Sequence, residues 1–157
     1  MKGKLSHVDD TGKAKMVDVS NKDASVRSAT ASGKVEFPPE VFEILSGKDF
    51  LSKKGSIIQT AVIAGIQAVK KTWELIPLCH QLNLSTIDIT IVPIENTLQI
   101  NCKVKCTERT GVEMEALTGV SVSALTIYDM CKALSHDIRI TDVRLNEKTG
   151  GKHDFKR

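Results

Sequence analysis

Apolar and polar residues alternate along four stretches of the chain, and this period of two predicts β-strands. A further short strand is predicted over residues 15–20. The turn Glu95-Asn96 joins two of the long stretches, which predicts an antiparallel hairpin with one apolar face. The four long stretches are 24–37, 87–92, 98–106 and 138–145.

Apolar residues recur at helical spacing over about 56–75, before Pro77, and over about 111–135. A short helix is predicted after Pro38-Pro39. In the second long helix, small residues around 119–123 form a surface that a lone monomer would leave exposed. The order β, α, β, β, α, β predicts an α+β, ferredoxin-like split βαβ fold. It has an antiparallel sheet with two main helices on one face, plus a short N-terminal strand and helix.

The composition is that of one globular domain. The chain has 157 residues, of which 41% are hydrophobic and 26% are charged, so it can bury a core of its own. We expect a single domain over 1–157, with 1–14 and 149–157 flexible. The longest apolar run, 61–66, is far shorter than the ~18 residues that span a bilayer. No apolar stretch follows the basic N-terminus. These features predict a cytoplasmic protein that does not bind membranes.

Charge and cysteine usage narrow the choice of partners. The formal net charge of +3 is too small to predict nucleic-acid binding, but it suits an anionic small molecule if the lysines converge. Cys79, His80, Cys102 and Cys106 are of types that bind zinc. Because Cys102 and Cys106 lie four residues apart on the apolar face of a predicted strand, we expect them to be packing residues and predict no metal site.

Several polar residues lie where a side chain can reach a pocket. His80 follows the end of a predicted helix, although a lone loop histidine is usually an ordinary surface residue. Glu113 and Glu115 begin the second long helix, where the helix dipole alone favours carboxylates; we expect only one of them to face any one pocket. Asp129 and Lys132 are three residues apart among apolar neighbours. These surroundings favour a pocket or a subunit contact over a plain surface ion pair.

Residues 148–152 read Lys-Thr-Gly-Gly-Lys. This string is not a Walker A loop, because it lacks the G-x-x-x-x-G-K-[ST] pattern and no helix follows it. Alone, it predicts a flexible basic tail, or a mobile loop that closes over phosphate groups.

Four strings in the sequence resemble one family of enzymes. They are GIQAVKKTWELIPLCHQL (65–82), RTGVEMEALTGVSVSALTIYDMCKA (109–133), KMVDVS (15–20) and KTGGK (148–152). Over about residues 15–152 the chain is similar to the molybdenum cofactor biosynthesis protein C family, the cyclic pyranopterin monophosphate synthases. The resemblance implies a ferredoxin-like subunit, in agreement with the element order. It also implies a homo-hexamer, a trimer of dimers, with the active site at the dimer interface.

The resemblance implies a specific reaction on a small molecule. The family converts (8S)-3′,8-cyclo-7,8-dihydroguanosine 5′-triphosphate, a cyclised GTP intermediate, into cyclic pyranopterin monophosphate and pyrophosphate by general acid–base catalysis. It implies no resident cofactor, and it leaves open whether magnesium accompanies the triphosphate. Nucleic acid and membrane are not expected partners.

Carried over position by position, the resemblance assigns the site residues. Asp129 matches the catalytic aspartate and Lys132 the catalytic lysine one helical turn further on. His80 and Glu115 are assigned to both catalysis and substrate binding. The remaining substrate-binding positions are Leu78, Cys79, Met114, Lys54, Lys70, Arg27, Lys148 and Lys152. A triphosphate with about four negative charges explains why several cations are needed.

The sequence departs from the family pattern at a few positions. Gln81 stands where proline is expected, Glu108 where glycine is usual, and Val62 where arginine is common. After Lys152, the usual Ser-Gly is replaced by His153-Asp154. Gln81 adjoins the predicted binding residue His80, and His153 adjoins Lys152, so these departures lie beside predicted substrate contacts.

Two other classes of function compete with this enzyme. An RNA-binding ferredoxin-like module would present aromatic residues on its central strands, and residues 99–104 contain none; filter binding with RNA at moderate salt discriminates the two. A role as a non-catalytic regulatory subunit would not explain why the chain has the four acid–base residues His80, Glu115, Asp129 and Lys132. Incubation with cyclised GTP followed by a pterin fluorescence assay tests that reading.

Overall fold

A computed structural model describes residues 7–157 and places the alternating stretches in one antiparallel sheet. Apolar side chains at every second strand position make one face of this sheet apolar, and helices cover that face. In chain order the elements are β1 (Ser25–Glu36), α1 (Pro39–Ser46), β2 (Leu51–Ser52), β3 (Gly55–Ser56), α2 (Ile57–Lys70), α3 (Thr72–Leu75), β4 (Leu84–Ile94), β5 (Thr97–Glu108), α4 (Glu113–Cys131), β6 (Arg139–Thr149) and β7 (Phe155–Lys156).

The sheet order is β4-β5-β1-β6-β7, with every neighbouring pair antiparallel. The first strand therefore lies between β5 and β6, and the two long helices α2 and α4 pack against each other and the sheet. This arrangement confirms the predicted α+β, ferredoxin-like class. The hairpin turn at Glu95-Asn96 and the short helix after Pro38-Pro39 are confirmed as well.

The helices α2 and α4 approach closely because small residues line their contact. Gly65 of α2 faces Gly119 and Ser123 of α4, and a Cβ on Gly65 would overlap the Ser123 hydroxyl. Ser123 Oγ donates a hydrogen bond to the carbonyl oxygen of Ala61 at 3.0 Å. The prediction that the small residues around 119–123 are exposed in a lone monomer is therefore wrong, because α2 of the same chain covers Gly119 and Ser123.

Two other predictions differ from the structure. Residues 15–20 form no strand; within 7–20 the only strand-like pairing is an isolated bridge between Val8 and Ala14. The helix predicted over 56–75 is interrupted at Lys71, whose φ of −109° and ψ of 11° separate α2 from α3. Neither proline nor glycine lies at this break, so no local signal predicted it.

The C-terminal segment 149–157, predicted as flexible, is paired with the sheet. After Thr149 the chain turns, and β7 pairs back with Glu147 and Lys148 of β6. Its described conformation is thus a hairpin, and the flexibility of the segment stays a prediction. Of the other segment predicted as flexible, residues 1–6 lie outside the described part of the chain.

The cysteines of β5 lie in the core. Cys102 and Cys106 are buried, as predicted for packing residues. Burial is the main cause that raises their pKa, to about 12 for Cys102 and about 11 for Cys106, so both remain neutral thiols. Within residues 7–157, no group of three or more His, Cys, Asp or Glu side chains could hold a metal ion. No helix in this range is long and apolar enough to cross a membrane.

Candidate functional site

A cavity of about 300 Å³ lies at the N-terminal end of α4. The loop that follows α3 supplies Leu78, Cys79 and His80 to its lining, and the first turn of α4 supplies Met114 and Glu115. The N-terminal segment also contributes to the lining. We call this space the helix-end cavity. It is lined by His7, Val17, Val19, Lys22, Leu78, Cys79, His80, Leu82, Thr110, Gly111, Glu113, Met114 and Glu115.

Glu115 is the most perturbed acid that lines the helix-end cavity. The residue is 4% exposed, and burial in a poorly solvated site disfavours the carboxylate. Burial is the largest cause that raises the pKa of Glu115 to about 7, and the neighbouring charge of Glu113 adds to it. Near neutral pH the carboxyl group therefore exists in both protonation states and can give or take a proton.

The imidazole of His80 is oriented by the N-terminal segment. His80 Nε2 lies 2.9 Å from the carbonyl oxygen of Val17, and because a carbonyl only accepts, Nε2 carries the hydrogen. In the neutral ring Nδ1 is then the unprotonated nitrogen. Residues 15–20, predicted as a strand, thus have another structural role: they lie against the site and fix the tautomer of its histidine.

Cys79 is half-buried in the same cavity. Burial first, and the charge of Glu115 second, raise the pKa of its thiol. The group therefore stays protonated, and it is a weak hydrogen-bond donor and not a thiolate nucleophile.

A second, basic recess of about 150 Å³ adjoins the cavity, and the two share Lys22, Thr110, Gly111 and Glu113. Within it, Lys148 Nζ lies 3.0 Å from Glu113 Oε1. Arg27 Nε donates to the carbonyl oxygen of Glu108 at 3.3 Å. The cations that line this basic recess are Lys22, Arg27, Arg109, Lys148 and Lys152.

The two glutamates of the first turn of α4 both line the helix-end cavity. The expectation that only one of them faces any one pocket is wrong, because the cavity lies at the end of the helix and not along its side. Glu115 is buried, whereas Glu113 is half-buried and paired with Lys148. Glu113 therefore borders both spaces.

Sequence reasoning missed two cations of the basic recess, Lys22 and Arg109. Arg109 opens the string RTGVEME and Lys22 closely follows KMVDVS. Proximity to these two strings was the available signal. Charge alone did not separate them from the other lysines and arginines of the chain.

Asp129, Lys132 and Lys54 form a separate group, which we call the C-terminal cluster. Lys132 Nζ lies 2.6 Å from Asp129 Oδ1, and both side chains are more than half exposed. The hydrogen bond from Lys132, then its charge, and to a smaller extent the charge of Lys54 lower the pKa of Asp129, while the same bond raises the pKa of Lys132. The aspartate is thus an ionised base held beside an ammonium group.

The C-terminal cluster is far from the helix-end cavity within one chain. Asp129 lies fourteen positions after Glu115 in α4, which is about 21 Å at 1.5 Å per residue. Lys70, at the C-terminal end of α2, is exposed and lines neither the cavity nor the basic recess. One chain therefore groups the predicted residues in two places and leaves Lys70 outside both.

Comparison with known proteins identifies the family. The model described as "MoaC family" matches residues 16–151. A cyclic pyranopterin monophosphate synthase of Xanthomonas campestris pv. campestris (strain B100) is 54% identical over 153 residues, which cover 97% of this chain and 93% of that protein. The synthase of the same name from Streptomyces avermitilis is 51% identical over 149 residues, or 95% of this chain and 86% of that protein. Molybdenum cofactor biosynthesis protein 1 of Drosophila melanogaster is 49% identical over 98% of this chain but only 27% of its own length. The chain therefore belongs to the MoaC family and is an enzyme of molybdenum cofactor biosynthesis.

Proposed function

We propose that the enzyme converts cyclised GTP into cyclic pyranopterin monophosphate and pyrophosphate. The observation that carries this proposal is the direct contact between two unlike spaces, a cavity with a buried proton-exchanging acid and a recess lined by cations. The relatives that match over nearly the whole chain are named as synthases of this product. The substrate has one part suited to each space, a nucleoside-derived ring system and a triphosphate.

The basic recess suits the phosphate groups. Its five cations face one carboxylate, that of Glu113, which is already paired with Lys148. A triphosphate with about four negative charges compensates the remaining positive charge, and guanidinium groups such as that of Arg27 bind phosphate with two parallel hydrogen bonds. Magnesium enters this proposal as a counter-ion that can accompany the triphosphate, and no resident cofactor is assigned.

Acid–base work in the helix-end cavity is assigned to Glu115 and His80. Glu115 exchanges its proton near neutral pH, and the Nδ1 atom of neutral His80 is a proton acceptor while Nε2 stays bonded to Val17. Opening a purine-derived ring and closing a pyranopterin requires several proton transfers. A group whose pKa lies near the working pH, as burial places the pKa of Glu115, performs such transfers best.

Asp129 and Lys132 complete the site when they come from a second copy of the chain. Since Asp129 and Glu115 are about 21 Å apart along one helix, they cannot both act on one reacting centre within a single chain. The helix layer exposes Ile63 and Leu125, which are 60% and 57% exposed, as apolar residues that a neighbouring subunit can cover. We propose a site at a dimer interface, within a hexamer built from three such dimers.

Turnover of two variants tests the catalytic pair. Asp129→Asn and Lys132→Ala are each expected to lower kcat by about 10²-fold or more, because a general acid or base contributes that much. Asp142→Asn is the matched control, since Asp142 forms a similar exposed ion pair, 2.9 Å from Lys34, on β6. Near wild-type turnover of a folded Asp129→Asn or Lys132→Ala protein would contradict the assignment, as would an equal loss in the control.

A further inference from the structure

The turn between β6 and β7 presents two lining residues of the basic recess, Gly151 and Lys152. At its tip, Gly150 has a φ of +83°, a conformation that favours glycine. Both backbone polar groups of Gly150 are bound by side chains: its N–H donates to Asp154 Oδ1 at 3.0 Å, and its carbonyl oxygen accepts from Ser25 Oγ at 2.9 Å. The tip is thus held from two sides.

The same turn packs directly on the backbone of β1. A Cβ on Gly150 would overlap the carbonyl oxygen of Val26, and a Cβ on Gly151 would lie 3.2 Å from Arg27 Nη1. The hydroxyl groups of Ser28 and Thr149 are 2.8 Å apart. The backbone of the turn therefore borders Arg27, and a small shift of the turn changes the shape of the basic recess.

Asp154 is itself fixed, because the chain after it returns to the sheet. Phe155 and Lys156 pair with β6. The N–H of Arg157 donates to the carbonyl oxygen of Asn146 at 2.9 Å, and Arg157 Nε donates to that of Leu145 at 3.1 Å. A carboxylate anchored in this way can hold the turn in one place.

We propose that Asp154 is a positioning residue, which holds the turn so that Gly151 and Lys152 face the anion bound in the basic recess. The inference rests on the proposed function for the nature of that anion, a polyphosphate. Asp154 does not itself line the recess. Its negative charge opposes anion binding. If its role is purely electrostatic, removal of the charge should strengthen binding of the anion, whereas removal of a positioning residue should weaken it.

Pyrophosphate binding to the full-length chain, measured by calorimetry, tests this role. Asp154→Ala is expected to raise the Kd for pyrophosphate about tenfold, the amount expected when one charge-assisted hydrogen bond ceases to order the site. Asp154→Asn keeps the oxygen that accepts from Gly150, so its Kd should stay within about twofold of wild type. In a Lys152→Ala background, Asp154→Ala should add little, because the cation that it positions is gone.

Asp9→Ala is the matched control. Asp9 Oδ1 accepts from the N–H groups of Thr11 and Lys13 in a turn outside the basic recess, so its loss removes the same charge and the same kind of bond. Unchanged or tighter binding by Asp154→Ala would overturn the proposal. An equally large rise of the Kd for pyrophosphate in Asp154→Asn or in Asp9→Ala would also overturn it. The same holds if Asp154→Ala weakens binding as much in the Lys152→Ala background as in wild type, or if the wild-type chain binds no pyrophosphate. A chain that binds pyrophosphate with this pattern but does not turn over cyclised GTP would contradict the proposed function and support the positioning role.

Discussion

Mixing two inactive variants should restore a defined fraction of activity if each site is built from two chains. The variants are Glu115→Gln, in the helix-end cavity, and Asp129→Asn, in the C-terminal cluster. Each is expected to be nearly inactive alone, because each lacks one proton-transfer group. About 21 Å of helix separates the two residues within a chain, so a shared site requires one residue from each of two copies.

The size of the recovery follows from symmetry. A two-fold dimer has two equivalent sites, each with Glu115 of one protomer and Asp129 of the other. In a dimer of the two variants, one site has both substitutions and the other has neither. Random exchange at equal concentrations makes about half of the dimers mixed, so about one quarter of the wild-type activity should return.

The assay is the rate of product formation after subunit exchange, with the exchange verified independently by native mass spectrometry of differently tagged chains. Two pairs are controls. Glu115→Gln with His80→Ala and Asp129→Asn with Lys54→Ala each combine residues from one group of the same chain, so neither pair should recover. Absence of recovery in the main pair after verified exchange, or equal recovery in the controls, would refute the interface site.

Two further predictions concern single groups. Because the pKa of Glu115 in the folded state is raised to about 7, its stabilising contribution is complete below about pH 4.5 and is lost as the pH rises through 7. Glu115→Gln should therefore gain roughly 2–3 kcal/mol of unfolding free energy relative to wild type between pH 5 and pH 8. Denaturant titrations at fixed protein concentration measure the unfolding free energy of both proteins at each pH. A difference between them that does not change with pH would contradict the raised pKa. Turnover should survive phenanthroline, which removes zinc, since Cys102 and Cys106 are core residues; stoichiometric zinc whose loss abolishes turnover would reverse that view.

Local pattern was sufficient to predict the sheet. The alternation of Leu98, Ile100, Cys102, Val104 and Cys106 predicted a strand with one buried face, and these five residues are buried. The order of the elements then predicted the fold class, because few topologies bury two helices on one face of such a sheet. The helix break at Lys71 was missed because it has no proline or glycine to mark it.

Long-range partners were beyond the reach of local pattern. The pattern of residues 15–20 predicted a strand. Instead, the carbonyl oxygen of Val17 accepts a hydrogen bond from the side chain of His80, which lies 63 residues away along the chain. The small residues Gly119 and Ser123 suggested a subunit contact, yet α2 of the same chain uses them. Small residues at helical spacing indicate a surface suited to close packing. Only the tertiary structure shows whether an element of the same chain or of another chain packs against that surface.

The sequence also did not indicate that the predicted site residues lie in two separate places within one chain. Resemblance assigned Glu115 and Asp129 to one active site, and the structure places them at opposite ends of α4. Their separation follows from helix geometry once the helix bounds are known. The proposal that a second copy completes the site therefore rests on the resemblance and, separately, on this distance within one chain.

Direct conversion of cyclised GTP by the purified wild-type chain tests the central claim. Product is followed by the fluorescence of its oxidised pterin, and pyrophosphate is quantified in the same reaction. Pterin and pyrophosphate are expected to form in a one-to-one ratio, and both should be lost in Asp129→Asn but kept in Asp142→Asn. A folded, pyrophosphate-binding chain that forms neither product, or that releases pyrophosphate without forming a pterin, would contradict it.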